Sequence, residues 1–183
     1  MTLIDALITN GLLQFGQFHT DGVMQPFALR LDLLASYPDV LELVRDALLT
    51  YAPRAPFDRI LCPLEALPLA VSVSLKLQIP VVYARRRSEA AAFDLVGAYD
   101  IGHPTLVIAN WADDDLMALI DQAERVGLRL SIIWAVIELT PMSVSRGEIY
   151  CLLRLRDVMD DPLIRSQFAS GQIEAVKARL FNK

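Results

Sequence analysis

Apolar residues follow two alternating patterns along this chain, one typical of helices and one typical of buried strands. Residues 3–11 and 38–51 repeat their apolar positions every three or four residues, which predicts amphipathic helices. Short continuous apolar runs, such as 105–110 and 128–137, predict strands buried on both faces. Because such strands alternate with helix-length segments, the pattern predicts βαβ units and an α/β fold with a mainly parallel sheet flanked by helices.

The remaining elements follow from the same patterns and from their turn signals. We expect Asp21-Gly22 to join two strands in a hairpin, and Gly127 to close a helix. The predicted elements are helix 3–11, strands 13–18 and 24–33, helix 38–51, strand 57–63, helix 68–77, strand 80–84, a loop over 85–100, strand 105–110, helix 115–126, strand 128–137, an edge strand over 148–155, and one or two polar helices within 162–181.

Composition narrows the class of protein. The 183 residues suit one domain, and 54% of them are hydrophobic, so we expect strands buried on both faces or an apolar surface covered by self-association. The net charge of −5 disfavours nucleic acid as a partner. No apolar run approaches the roughly 20 residues of a membrane helix. Residues 1–16 contain no basic n-region, so we expect no signal peptide. Cys62 and Cys151 lie in apolar segments, which is typical of a cytoplasmic protein.

The stretch 104–117 carries the main candidate chemistry, because a buried strand runs there into a loop and then a helix. Many phosphate sites use this geometry, yet the loop contains Asp113, Asp114 and Asp115 and no glycine. Three carboxylates can hold a divalent metal. They can equally cap the helix, since aspartate satisfies free N–H groups in the first turn. We favour the cap. Trp111 either fills the adjoining cavity or offers a stacking surface, and we favour filling.

Six segments together resemble the orotate phosphoribosyltransferases, by their order and spacing. They are LQFGQF at 13–18, LRL at 29–31, FDRI at 57–60, PLEALPLA at 63–70, LQIPVVY at 77–83 and TLVI at 105–108. The resemblance implies a type I phosphoribosyltransferase fold and a homodimer. It also implies a single domain over 1–183, with a core at 37–140 and a hood formed by residues 1–36 and the C-terminal part. We assign residues 160–183 no role.

The positions that bind phosphoribosyl pyrophosphate in this family differ in this chain. Ala109 and Asn110 stand where the family has two acids for the ribose hydroxyls, and Asp113–Asp115 replace its Thr-Thr-Gly-Gly-Ser type loop. Glu65 lies in the pyrophosphate loop, where the family has a lysine and a glycine. Leu139 replaces the arginine for the orotate carboxylate.

Two further stretches have also lost the family's basic residues. The mobile loop at 88–93 lacks its lysine and histidine, and the hood lysine is missing around 20–22. Only Arg85 and Arg86 keep a basic character that suits the family's phosphate side. The run Arg85–Arg87 either binds an anionic ligand or a partner's acidic patch, or starts a solvated loop and pairs with nearby acids. Cys62, before Pro63, is either a reactive thiol or a buried packing residue, and we favour packing.

These losses lead to a functional hypothesis. Each loss removes a charge-assisted contact of roughly 1.5–3 kcal/mol, so we predict no useful binding of phosphoribosyl pyrophosphate. We also predict no catalytic residue, no metal and no cofactor. We expect a non-catalytic protein with a binding, regulatory or assembly role. One alternative is an active transferase of pyrimidine metabolism with a rebuilt site, which alone would need Mg²⁺. Another is a binder of a non-phosphorylated small molecule. The candidate ligand-binding residues are Glu65, Arg85, Arg86, Asn110, Trp111, Asp113, Asp114 and Asp115.

Overall fold

A six-stranded, mainly parallel sheet forms the centre of the molecule, in agreement with the predicted α/β class. The computed structural model describes residues 2–20, 22–52, 54–86, 93–139 and 148–181. Its strands are β1 (Leu13–Thr20), β2 (Val23–Leu29), β3 (Arg59–Pro63), β4 (Val81–Arg86), β5 (Phe93–Val96), β6 (Pro104–Trp111), β7 (Arg129–Glu138) and β8 (Glu148–Arg154). The sheet order is β5-β4-β3-β6-β7-β8, and only β5 runs antiparallel to its neighbour.

Helices cover both faces of this sheet. They are α1 (Leu3–Thr9), α2 (Pro38–Tyr51), α3 (Leu67–Leu77), α4 (Asp114–Arg125), α5 (Leu155–Val158), α6 (Pro162–Gln167) and α7 (Ser170–Phe181), with short 3-10 helices at Leu31–Ser36 and Leu64–Ala66. Local signals set several of the ends: Thr2 and Asp5 form a capping box on α1, and α2 starts with Pro38. Gly127 follows α4 with φ of +100°, as its predicted closing role requires. No helix of the described residues is long and apolar enough to cross a membrane.

Alternate residues of the central strands enter two separate cores. Ile60, Leu106 and Ile108 pack with α2, α3 and the N-terminal segment, whereas Val107 and Ala109 pack under α4. Side chains alternate across a strand, so a strand covered on both faces must be apolar at every position. The continuous apolar runs of β6 and β7 are therefore explained by burial.

The hairpin β1–β2 stands apart from the main sheet as a second, two-stranded sheet. Helix α7 packs against both of its strands. Phe15 and Phe168 meet edge to face with ring centroids 4.9 Å apart, and Arg179 Nε donates a hydrogen bond of 2.9 Å to Gln25 Oε1. These contacts join the N-terminal hairpin to the C-terminal segment, the two parts of the expected hood.

Several predicted bounds differ from the structure by one or two residues, and three differences change an element. Strand β2 ends at Leu29, and the next residues form a 3-10 helix because its period of three buries Leu31 and Leu34 together. The predicted loop over 85–100 contains β5, which forms only by pairing with β4. Leu155 begins α5 and does not extend β8. The Asp21 turn position, Arg87 and most of the mobile-loop stretch, 88–92, lie outside the described residues.

Candidate functional site

A cleft of about 490 Å³ opens beyond the carboxyl ends of β3, β4 and β6. Ligands of open parallel sheets bind at this edge, because the loops and helix starts that follow the strands converge there. The walls combine an apolar lining with five charged side chains. The lining residues are Pro63, Leu64, Glu65, Ala84, Arg85, Arg86, Phe93, Trp111, Asp113, Asp115, Leu116 and Leu119.

Six of the eight candidate residues meet in this cleft: Glu65, Arg85, Arg86, Trp111, Asp113 and Asp115. Asn110 is buried at the end of β6, outside the lining, and Asp114 is exposed on the first turn of α4. Sequence reasoning missed the apolar wall, to which Leu64 and Leu119 belong. Leu119 lies one turn beyond Leu116 on the apolar stripe of α4. This stripe is visible in the sequence and could have predicted the apolar wall.

Asp113 is the N-cap of α4, as the capping hypothesis predicts. Its Oδ1 accepts a hydrogen bond of 2.8 Å from the N–H of Leu116, and its Oδ2 accepts one of 2.9 Å from Trp111 Nε1. Both carboxylate oxygens are therefore engaged within the protein. The start of the helix, where a bound phosphate would find free N–H groups, carries the protein's own negative charge.

Arg86 is held between α4 and β5. Its guanidinium forms an ion pair with Asp115 and lies 5.8 Å from the centre of the Phe93 ring. The two charged side chains are more than half exposed, so the pair sits at the mouth of the cleft. Arg86 and Asp115 lie 29 residues apart in the chain, so no local pattern in the sequence could have predicted their ion pair.

Some charged side chains of the cleft have partners within the protein and others do not. Two arginines and three acids line it, which leaves one net negative charge. Asp113 and Asp115 have partners, whereas Arg85 and Glu65 form no side-chain hydrogen bond or ion pair with any residue in the described ranges. The groups available to a ligand are therefore one cation and one carboxylate.

Asn110 links two loops beneath the cleft. Its Nδ2 donates a hydrogen bond of 3.1 Å to the carbonyl oxygen of Glu65, which fixes the turn after β3 against the end of β6. Its Oδ1 is buried and has no hydrogen-bond partner among the residues that the structure describes. Trp111, which follows, is half-buried and forms part of the wall, and the cleft remains open beside it.

Cys62 is fully buried next to the cleft and does not line it. Burial raises the pKa of its thiol far above the ordinary range, and the nearby charge of Glu65 acts in the same direction. A thiol in this state yields little of the nucleophilic thiolate. The geometry agrees with a packing role for Cys62.

The acids of the cleft do not fit a resident divalent cation. Hard cations need several open carboxylate or carbonyl oxygens. Here Asp113 is satisfied by two N–H donors, and Asp115 is paired with Arg86. Within the described ranges, no three acids, histidines or cysteines converge on one point as metal ligands would.

Comparisons with known proteins identify the fold. No protein-family model matches the chain. It is 27% identical to the orotate phosphoribosyltransferase of Archaeoglobus fulgidus over 162 residues, which cover 86% of this chain and 90% of the relative. Among solved structures, UMP synthase of Leishmania donovani matches with a TM-score of 0.83 and 24% identity over 99% of this chain, which spans 42% of that longer protein.

A second solved structure extends the comparison to a protein of similar length. The orotate phosphoribosyltransferase of Francisella tularensis matches with a TM-score of 0.68 and 15% identity over 95% of each chain. The resemblance inferred from the sequence is thereby confirmed: the chain has the type I phosphoribosyltransferase fold and is similar to orotate phosphoribosyltransferases over most of its length.

Proposed function

We propose that this chain is a non-catalytic relative of the orotate phosphoribosyltransferases, with a binding, regulatory or assembly role. One observation supports this most directly: the Asp113 carboxylate caps α4, in the loop that wraps the 5′-phosphate in the family it resembles. Two like unit charges 4 Å apart repel by about 4 kcal/mol at an effective dielectric constant of 20. A phosphate at this place would meet that repulsion and would find the Leu116 N–H already bonded.

The other charges of the cleft support the same proposal. Arg86 is neutralised by Asp115, and Glu65 adds a negative charge on the side where a pyrophosphate would lie. Transfer of a phosphoribosyl group depends on positioned positive charge around the leaving pyrophosphate. A cleft with net negative charge lacks that stabilisation.

Calorimetry with phosphoribosyl pyrophosphate and Mg²⁺ tests the proposal. We expect no saturable heat up to millimolar ligand, and no consumption of orotate. Asp115→Asn frees Arg86 and removes one negative charge from the cleft. Its matched control is Asp114→Asn, which removes one negative charge outside the cleft and leaves the ion pair of Arg86 in place. We expect only Asp115→Asn to strengthen binding of inorganic phosphate. Saturable micromolar binding of phosphoribosyl pyrophosphate to the unaltered protein would overturn the proposal.

An active transferase with a rebuilt site is the second candidate. It is favoured by the 27% identity to the Archaeoglobus fulgidus enzyme, which extends over 90% of that relative. Mg²⁺ would enter only in this case, together with the substrate. Formation of pyrophosphate from phosphoribosyl pyrophosphate and any pyrimidine base would establish this candidate and exclude the first.

A non-phosphorylated ligand is the third candidate, because Arg85 and Glu65 leave one cation and one carboxylate available in the cleft. A thermal-shift screen of bases and nucleosides tests it, since a ligand that binds the native state raises its apparent stability. A shift that Glu65→Gln abolishes would support this candidate. A screen without a shift would favour the assembly role.

The assembly role is supported by one face of α3. Val71 and Leu75 of α3 are 41% and 69% exposed, and with Pro68 they follow the spacing of a single helical stripe. Leu64, in the 3-10 helix just before α3, is 48% exposed. Exposed apolar side chains at this spacing on one helix favour a partner on its outer side. We propose a second copy of this chain, in the cytoplasm, where the free thiols of Cys62 and Cys151 persist. Leu75→Glu should convert the dimer to monomer in sedimentation, and Lys76→Glu should not.

A further inference from the structure

A second cavity, larger than the cleft, lies between the hairpin β1–β2 and helix α7. Its volume is about 690 Å³, within the range of small-molecule sites. It is lined by Gly16, Gln17, Met24, Gln25, Pro26, Gly171, Gln172, Ala175 and Arg179. None of these residues lines the cleft at the sheet edge, so the two sites are separate. We call this second cavity the hairpin groove.

Two of the three glutamine amides that line the hairpin groove, those of Gln25 and Gln172, have a fixed orientation. Gln25 Oε1 accepts a hydrogen bond of 2.9 Å from Arg179 Nε, and Gln172 Oε1 accepts one of 3.1 Å from the N–H of Ala169. An arginine nitrogen and a backbone N–H can only donate, so these two bonds fix the orientation of both amides. Among the residues that the structure describes, the amide NH₂ groups of Gln25 and Gln172 have no acceptor and are available to a ligand.

Arg179 adds a positive charge to these donors. Its side chain is half-buried, and it forms no ion pair with a carboxylate in the described part of the chain. Within the described ranges only its Nε is engaged, which leaves the two terminal guanidinium nitrogens available as a planar fork. Such a fork suits the two oxygens of a carboxylate. The groove therefore offers an anion site at its Arg179 end.

The rest of the groove is apolar and elongated. Gly171 and Arg179 are eight residues apart on α7, about 12 Å at the rise of an α-helix. Met24, Pro26 and Ala175 supply apolar surface, and a Cβ on Gly171 would meet no atom within 4 Å. An apolar body of several carbon atoms can therefore lie along the helix with its head group at Arg179.

We propose that the hairpin groove binds a small linear organic acid, with its carboxylate on Arg179 and Gln25 and its apolar chain along Met24, Pro26 and Ala175. A cationic ligand would oppose Arg179, and a neutral one would leave the guanidinium unpaired. An inorganic anion would make no use of the apolar wall. The second free amide, on Gln172, provides a donor for a carbonyl at the far end of the ligand. This site goes beyond the role proposed for the cleft and does not depend on it.

Octanoate is the test ligand, with octanamide and acetate as controls that lack the charge and the apolar chain. We expect calorimetry and saturation-transfer NMR to show one saturable site for octanoate, and binding at least tenfold weaker for both controls. Arg179→Gln should weaken octanoate binding tenfold or more, about 1.4 kcal/mol. Arg179→Lys keeps the charge and should restore part of the affinity.

Two variants on helix α7 test whether octanoate binds in the hairpin groove. Ala175→Leu fills the groove and should abolish binding, whereas Ala178→Leu, at an equally exposed position that does not line the groove, should leave it unchanged. Thermal unfolding of each variant checks that it folds, and Arg179→Gln tests the site without altering the space in it. The proposal fails if octanoate shows no saturable binding, if octanamide binds equally well, or if the two leucine variants behave alike.

Discussion

The indole of Trp111 donates a hydrogen bond of 2.9 Å from Nε1 to Oδ2 of Asp113, two residues further along the chain. The other oxygen of the same carboxylate caps α4 through the Leu116 N–H. One side chain thus fixes both a wall of the cleft and the start of the helix behind it. The loop between β6 and α4 is therefore held by hydrogen bonds between its own residues.

Asp113→Ala should lower the free energy of unfolding by about 1 kcal/mol, because it removes the N-cap of α4. Urea unfolding measures this change. Asp114→Ala removes the same charge one residue later, where there is no capping bond, and should change stability by less than about 0.5 kcal/mol. Asp113→Asn keeps a capping oxygen and should recover most of the loss. Equal effects of the two alanine variants would contradict the capping role.

Asn110→Asp should lower the free energy of unfolding by about 3 kcal/mol, because it leaves a charge buried without a partner. The side chain is 2% exposed, and its new oxygen would face the carbonyl oxygen of Glu65 in place of the Nδ2 donor. Chemical denaturation gives the magnitude.

The matched control for this change is Asn10→Asp. Asn10 Nδ2 also donates to a backbone carbonyl, that of Ala6, but at a half-exposed position. Water can solvate the new charge there, so we expect less than half the effect. A similar loss in both variants would mean that burial of Asn110 is not the cause.

Both thiols should resist an aromatic disulfide reagent at pH 8 in the native protein. Burial raises the pKa of Cys62 above the titratable range and raises that of Cys151 to about 11. At pH 8 only about one thiolate in a thousand is then present at Cys151. Unfolding in urea should make both react within seconds. The Cys62→Ser variant leaves Cys151 as the reacting thiol, and the Cys151→Ser variant leaves Cys62. Rapid reaction of Cys62 in the folded Cys151→Ser variant would refute the buried packing role of Cys62.

Asp160 should contribute to stability in a pH-dependent way. The hydrogen bonds from Lys177 and Arg165 hold the pKa of Asp160 below its ordinary value. A carboxyl whose pKa is lower in the folded state stabilises that state above its unfolded pKa of about 3.9. The contribution is lost as the pH falls through the lowered folded pKa.

Thermal unfolding of the protein and its Asp160→Asn variant measures this contribution. The melting temperatures should differ at pH 7 and converge in strong acid, below the lowered pKa. Asp157→Asn, a neighbouring exposed acid paired only with the adjacent Arg156, serves as control and should show a smaller difference at pH 7. A difference for Asp160→Asn that persists unchanged into strong acid would contradict the electrostatic cause.

An element could be predicted from the sequence where its own residues encode its start, its buried face and its end. The Asp113 cap, the apolar stripe after it and Gly127 define α4 without reference to the rest of the chain. Strand β5 has four residues and exists through its pairing with β4, so nothing local distinguishes it from a loop. The same holds within the cleft: the acids were visible in the sequence, but the pairing of Asp115 with Arg86 depends on the approach of two distant elements.

The packing of α7 against β1 and β2 affects the order in which parts of the protein fold during translation. A lone two-stranded hairpin is at best marginally stable in water. About 140 residues separate the end of β2, at Leu29, from the start of α7, at Ser170. Synthesis proceeds at about 5–20 residues per second, so the nascent hairpin waits roughly ten seconds or more for the helix that covers it. The hairpin groove therefore cannot form until most of the central sheet has been synthesised.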